Sequence, residues 1–382
     1  MNFRILIVLF SVFFVSLANA VPVSNLYRAD IKLPVVGSDD QLLDEAFSQA
    51  VEQVLVRVSG DKKAISGDLL KQAQSDAPTW VAQHSVVSLP QLLPVNGELV
   101  AGKKVSVIFY RESIDRFLSK NNLPVWGNNR PSVLVWAVSE DNGVRSISGA
   151  NAPSELLNDL ATSAAMVGVP IYAPLVDSVD KSAISPSDIW GFFESSIKQA
   201  SKRYQTDAVA AMRVTDYAGT VSGTLLVLLD DGTSQRFSLN GDSLQALADQ
   251  ASSDMALVLS TRYAAVRNVA VESRLMIQVS GINSYLALNK VQSYLEQVGV
   301  VRDVFVVGAK GDLVTFSVAI NGSKQKLINS ISLSSLLQID NTKPIATKSN
   351  GVAGEPMVGE SVNQVDVPAE PIETFKYSGV QQ

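Results

Sequence analysis

Cysteine is absent from the 382 residues, and histidine occurs once, at His84. Without cysteine there can be no disulfide, no thiolate metal site, no thiol nucleophile and no lipid attached at a leader cysteine. One histidine cannot furnish a His-based zinc site, which needs several such ligands. His84 precedes the strand-like pair Val86-Val87 and reads as a solvent-facing loop residue. No Gly-x-Ser-x-Gly elbow is present to join it in a hydrolase triad, and no Gly-x-Gly-x-x-Gly or phosphate loop supports nucleotide binding. Positive charge is also short, with 31 Lys and Arg against 37 Asp and Glu. With no basic stripe, nucleic acid is disfavoured, and so is an anionic membrane surface.

Long apolar runs are confined to the first residues. Arg4 precedes an unbroken run from Ile5 to Val15, and Ala18-Asn19-Ala20 supplies the small residues a signal peptidase needs. Residues 1–20 therefore read as a secretory leader cleaved after Ala20, and the chain as periplasmic. Cleavage removes Arg4, leaving 30 basic against 37 acidic residues. No later stretch is apolar enough to span a membrane. The remaining 362 residues suit two or three domains, and 46% apolar composition supplies ample core.

The pattern divides the chain into three small α/β modules and a tail. Residues 21–122 read as an α+β sandwich. Leu26 to Leu33 alternates as a strand. Leu43, Phe47, Ala50, Val51, Val54 and Leu55 line one helix face, with Asp39 and Asp40 at its start and Gly60 as its left-handed stop. A second helix over Asp68–Ala82, strands over Val86–Leu93 and Leu99–Tyr110 joined near Asn96-Gly97, and a helix over Glu112–Lys120 complete it. Residues 123–130 form a linker or rigid corner. Residues 131–268 suggest a mixed sheet with helices on its faces, because Val133–Val138 is almost entirely apolar. Residues 269–339 follow the order βαββαβ, the ferredoxin-like arrangement. Residues 340–382 are acidic and punctuated by Pro and Gly, and read as disordered; Phe375-Lys376-Tyr377 is an aromatic spot that could dock on a partner.

The ending Val56-Arg57-Val58-Ser59-Gly60-Asp61, the segment Leu123-Pro124-Val125-Trp126-Gly127-Asn128-Asn129-Arg130-Pro131, and Arg203-Tyr204 leading to Asp207 resemble an uncharacterised proteobacterial envelope family, domain-of-unknown-function family 2066. That resemblance brings no activity. It singles out Arg57, Trp126, Asn129, Arg130, Trp190, Arg203, Tyr204 and Asp207 as binding candidates. Should they converge, guanidinium groups beside an aromatic could hold a carboxylate or a sugar face, with Arg130, Arg203 and Tyr204 in a cleft between the first two modules. The alternative is structural: Arg203 covers helix C-terminal carbonyls, Asp207 pairs with it, and the tryptophans are core.

Two further chemistries are weaker. Ser-x-x-Lys, which can place a desolvated lysine beside a serine, occurs at Ser59/Lys62, Ser178/Lys181, Ser195/Lys198 and Ser323/Lys326; only Ser195/Lys198 falls well inside a helix. Asp39/Asp40/Asp44/Glu45 and Asp230/Asp231 lack the spacing of a calcium loop. The sequence thus points to a protein without metal or cofactor that binds another envelope protein or a cell-wall component. Small-molecule binding and a Ser-Lys hydrolase are the alternatives.

Overall fold

The computed structural model describes residues 21–217, 220–266, 273–340 and 373–379. The expected leader, residues 1–20, lies outside the described residues, as do residues 341–372 and 380–382 of the expected tail. The fold is mixed α/β.

In the first module β1 (Arg28–Pro34) leads into α1 (Asp39–Ser59), followed by α2 (Gly67–Trp80), β2 (Val81–Ser88), β3 (Gly102–Phe109) and α3 (Arg111–Lys120). The three strands form an antiparallel sheet in the order β1-β3-β2. Ser38, rather than Asp39 or Asp40, caps α1. Its hydroxyl accepts from the Gln41 amide while the Gln41 side chain accepts from the Ser38 amide, a reciprocal capping box. Gly60 ends the helix at φ +71°. A two-residue turn, Asn96-Gly97, with both φ values positive, joins the short strands Leu93–Val95 and Glu98–Val100. His84 lies within β2 rather than in a loop, exposed, with its ring edge-on to Phe47.

The middle module places β4 (Val133–Asp141), β5 (Val144–Ser148), α4 (Glu155–Val167), β6 (Ala208–Tyr217), β7 (Thr220–Leu229), β8 (Ser234–Gly241) and α5 (Leu244–Tyr263) around one sheet of order β5-β4-β6-β7-β8. Its apolar centre is explained by two-sided burial. Val133, Val135 and Ala137 face one core with α4 and α5, whereas Leu134, Trp136 and Val138 face a second core beneath the short helices Pro186–Trp190 and Glu194–Ser201. The first of these cores continues without a break into α1 and the small sheet of the first module. Residues 123–130 run through this seam: Trp126 is 1% exposed and Arg130 fully buried.

The last module contains β9 (Ser273–Ser280), α6 (Tyr285–Gln297), β10 (Val301–Lys310), β11 (Leu313–Ile320), α7 (Lys324–Ser332) and β12 (Leu337–Ile339), the expected βαββαβ order. It has its own core. One strand was not foreseen. Residues 373–377, assigned by composition to a disordered tail, form β13 (Glu373–Tyr377), and the sheet order is β10-β11-β9-β13-β12. β13 runs parallel to β9, with Phe375 opposite Val279, and antiparallel to β12. Phe375 is fully buried, and this burial, worth roughly 1.5–3 kcal/mol for such a side chain, outweighs the polar setting that made the segment look solvated. The module meets the rest of the protein where a Cβ on Gly127 would fall 2.8 Å from the Gly299 backbone, an approach only glycines permit.

Candidate functional site

The eight residues singled out by sequence do not gather in one cleft. Four lie along the seam. Arg130 donates from Nε to the Gly127 carbonyl (2.7 Å) and from Nη2 to the carbonyls of Arg57 (2.9 Å) and Trp126 (3.1 Å). Its guanidinium stacks 3.7 Å from the Trp126 ring centroid. Arg57 in turn donates to the Met166 carbonyl (2.9 Å) and the Arg28 carbonyl (2.5 Å). The Arg57 and Met166 carbonyls belong to the last turns of α1 and α4. Two guanidinium groups therefore plug two converging helix C-termini, where the partial negative charge of each helix takes the place of a carboxylate. Gly168, at φ +74°, makes room: a Cβ there would meet Arg57 Cγ at 2.9 Å. Burial pushes the pKa of both arginines down, furthest for Arg130, which the charge of Arg57 lowers again. Asn129 reaches across to the last module, donating to the Ser330 carbonyl at 3.3 Å.

Arg203 and Tyr204 belong to a second cluster, on the other face of the middle sheet. Arg203 grips Asp177 in bidentate fashion (2.8 and 3.0 Å) and Asp180 at 2.9 Å. The Tyr204 hydroxyl donates to Asp180 and accepts from the Leu175 amide. Burial, reinforced by Asp180, raises its pKa to about 12, and the Arg203 hydrogen bonds hold Asp177 well below the carboxylate range. Asp180, 1% exposed, also accepts from the Val176 amide at 2.8 Å. Val176 sits at φ +54°, a conformation a β-branched residue resists at a cost of about 1–3 kcal/mol, so the cluster is a strap that holds this turn. Trp190 lies between the guanidinium groups of Arg145 (4.2 Å) and Arg213 (5.9 Å). Arg203 grips the start of the helix Ser178–Ala183 rather than covering helix C-terminal carbonyls, and Asp207 does not pair with it.

The remaining candidates are engaged elsewhere. Lys198 pairs with Glu194 at 3.3 Å rather than with Ser195. Ser323 caps α7 by accepting from the Lys326 amide. Asp39 pairs with Lys103, and Asp230 and Asp231 with Arg262. Among the described residues no group of three or more His, Cys, Asp and Glu could hold a metal, and no helix is long and apolar enough to cross a membrane.

Two of the hollows that contain polar side chains lie between elements described above. One, of about 580 Å³, lies between β1, α1, α4 and α5; there Ser163 donates to Asp249 (2.5 Å) and accepts from Gln245 (2.9 Å). The other, of about 440 Å³, separates the middle and last modules. Of the eight binding candidates, Asp207 alone lines it. Its carboxylate accepts from the Ser132 amide (2.7 Å) and hydroxyl (2.6 Å), and burial raises its pKa. Arg262, which lines the same side of this hollow as Asp207, was not foreseen, because a lone arginine near a helix end carries no distinguishing pattern.

The comparisons with known proteins correct the family expected from sequence. Residues 20–127 match the model of a domain of unknown function, DUF8605, and not family 2066. Arg57 and Trp126 fall within that match, whereas Arg130 and the whole of the middle and last modules fall beyond it. No curated protein matches the chain.

Proposed function

We propose that the chain is an exported, non-catalytic binding protein whose last module docks an extended, apolar segment of another envelope protein along β10. The composition of residues 1–20 supports export. The docking proposal is carried by the state of β10. It is an edge strand of the five-stranded sheet, and every residue from Phe305 to Lys310 is exposed. Phe305, Val306 and Val307 are 56%, 43% and 53% exposed. A long apolar edge normally invites unwanted pairing and is blunted by charge or cover. An added strand would take up its free amides and carbonyls, with the apolar side chains giving specificity. The same sheet already accommodates a segment from far along the chain, β13.

Photo-crosslinking from position 307 in the exporting cell, followed by hydrogen exchange of the purified pair, tests this reading. The expected result is slowed exchange of the amides of residues 305–309 on complex formation, and loss of the crosslink in Val306→Lys. Equal crosslinking from Tyr285, which is 77% exposed on α6, would sink the idea.

A further inference from the structure

We infer that the cleft between the middle and last modules is a binding site for a neutral, polyhydroxylated small molecule, a sugar or polyol. Thr206, Asp207, Asp230 and Arg262 line it on one side, and Gln325 and Asn329 on the other. Its volume of about 440 Å³ lies within the range of about 300–1,000 Å³ usual for small-molecule sites.

The chemistry of the lining narrows the ligand. Arg262 spends its terminal nitrogens on Asp230 and Asp231, yet its buried Nε–H has no protein acceptor, and neither does the buried hydroxyl of Thr206 find a partner. Buried polar groups left unmade are costly, so their pairing by a ligand contributes directly to affinity. An anion is disfavoured, because Asp207 and Asp230 face the cleft and the one guanidinium beside them is already neutralised. An apolar ligand would leave the same groups unpaired. A metal finds too few ligands. A hydroxyl suits this lining, since it can accept from an N–H and donate to a carboxylate. Gln325, whose amide donates to Asn329 at 2.9 Å, adds a donor-acceptor pair on the opposite wall.

The two modules close on this cleft through Lys326 to the Ala264 carbonyl and Ser330 to the Tyr263 carbonyl, so a ligand there would also brace them. This inference is independent of docking along β10, and either can fail alone.

The test is calorimetric titration of the full exported chain with glucose, N-acetylglucosamine, myo-inositol and, as a charged counterpart, glucose 6-phosphate. Saturable binding of at least one neutral probe is expected. Thr206→Val and Asn329→Leu should each weaken it about tenfold, the loss expected for one good hydrogen bond, with unchanged thermal stability. Absence of saturable binding by every neutral probe would overturn the inference. So would binding indifferent to both substitutions, or tighter binding of the phosphate than of glucose.

Discussion

Arg130 and Arg203 are the same residue type in two opposite settings. Arg130 is wholly enclosed, touches no carboxylate, and is held by three backbone carbonyls and an indole face. Arg203 stays partly solvated and grips two aspartates. The contrast shows that a buried cation need not be matched by a side-chain anion when helix ends converge on it. An arginine with ideal partners, in turn, can be no more than a clasp on a surface turn. Which of the two is the greater structural investment follows from desolvation, not from the number of ion pairs.

Removing Arg130 should give the largest effect. Arg130→Met keeps the bulk but leaves the Gly127, Arg57 and Trp126 carbonyls unpaired, and should lower unfolding stability by about 4 kcal/mol, as measured by urea denaturation. A stability equal to that of the parent would mean that the buried charge had been as costly as its bonds were favourable. Arg57→Met, which strips two carbonyls at a site nearer to water, should cost about 2 kcal/mol in the same assay. Arg203→Ala should cost less than either, and its loss should shrink in high salt, whereas that of Arg130→Met should not. A salt-insensitive Arg203→Ala would place the strap among the buried elements.

The smallest effects concern pH, and their signs oppose. Asp177 is held below its ordinary value of 3.8 by Arg203, so its contribution is present above that value and lost as pH falls. Asp207 is raised by burial, so its contribution is present below 3.8 and lost as pH rises through the folded value. Stability relative to Asp177→Asn should therefore increase from about pH 3 to pH 7, and relative to Asp207→Asn decrease. Parallel slopes would break the comparison.

Much of the fold was legible because its periodicities are long. The α1 face, the Asn96-Gly97 turn, the two-sided strand β4 and the βαββαβ order all follow from residue spacing. The seam was half legible. The idea that an arginine covers helix carbonyls was right in kind but attached to Arg203 instead of Arg57 and Arg130, because sequence shows a residue near its own helix end and not the distant end it serves. Arg57 reaches α4, which lies 109 residues further along the chain. β13 was missed because five residues isolated among Pro and Gly carry too little pattern to reveal a slot waiting between β9 and β12. The Arg262 cleft was invisible for a different reason: its walls come from separate modules.

Because β13 reaches its place by way of the 33 positions that separate it from Ile339, it behaves as a tethered ligand of its own sheet. Its local concentration is set by that connection, and a proteolytic nick anywhere between residues 341 and 372 would turn an intramolecular contact into an ordinary bimolecular one. After such a nick, dilution alone would drain Phe375 from the core, and Val279 and Ile339 would face each other across an open gap.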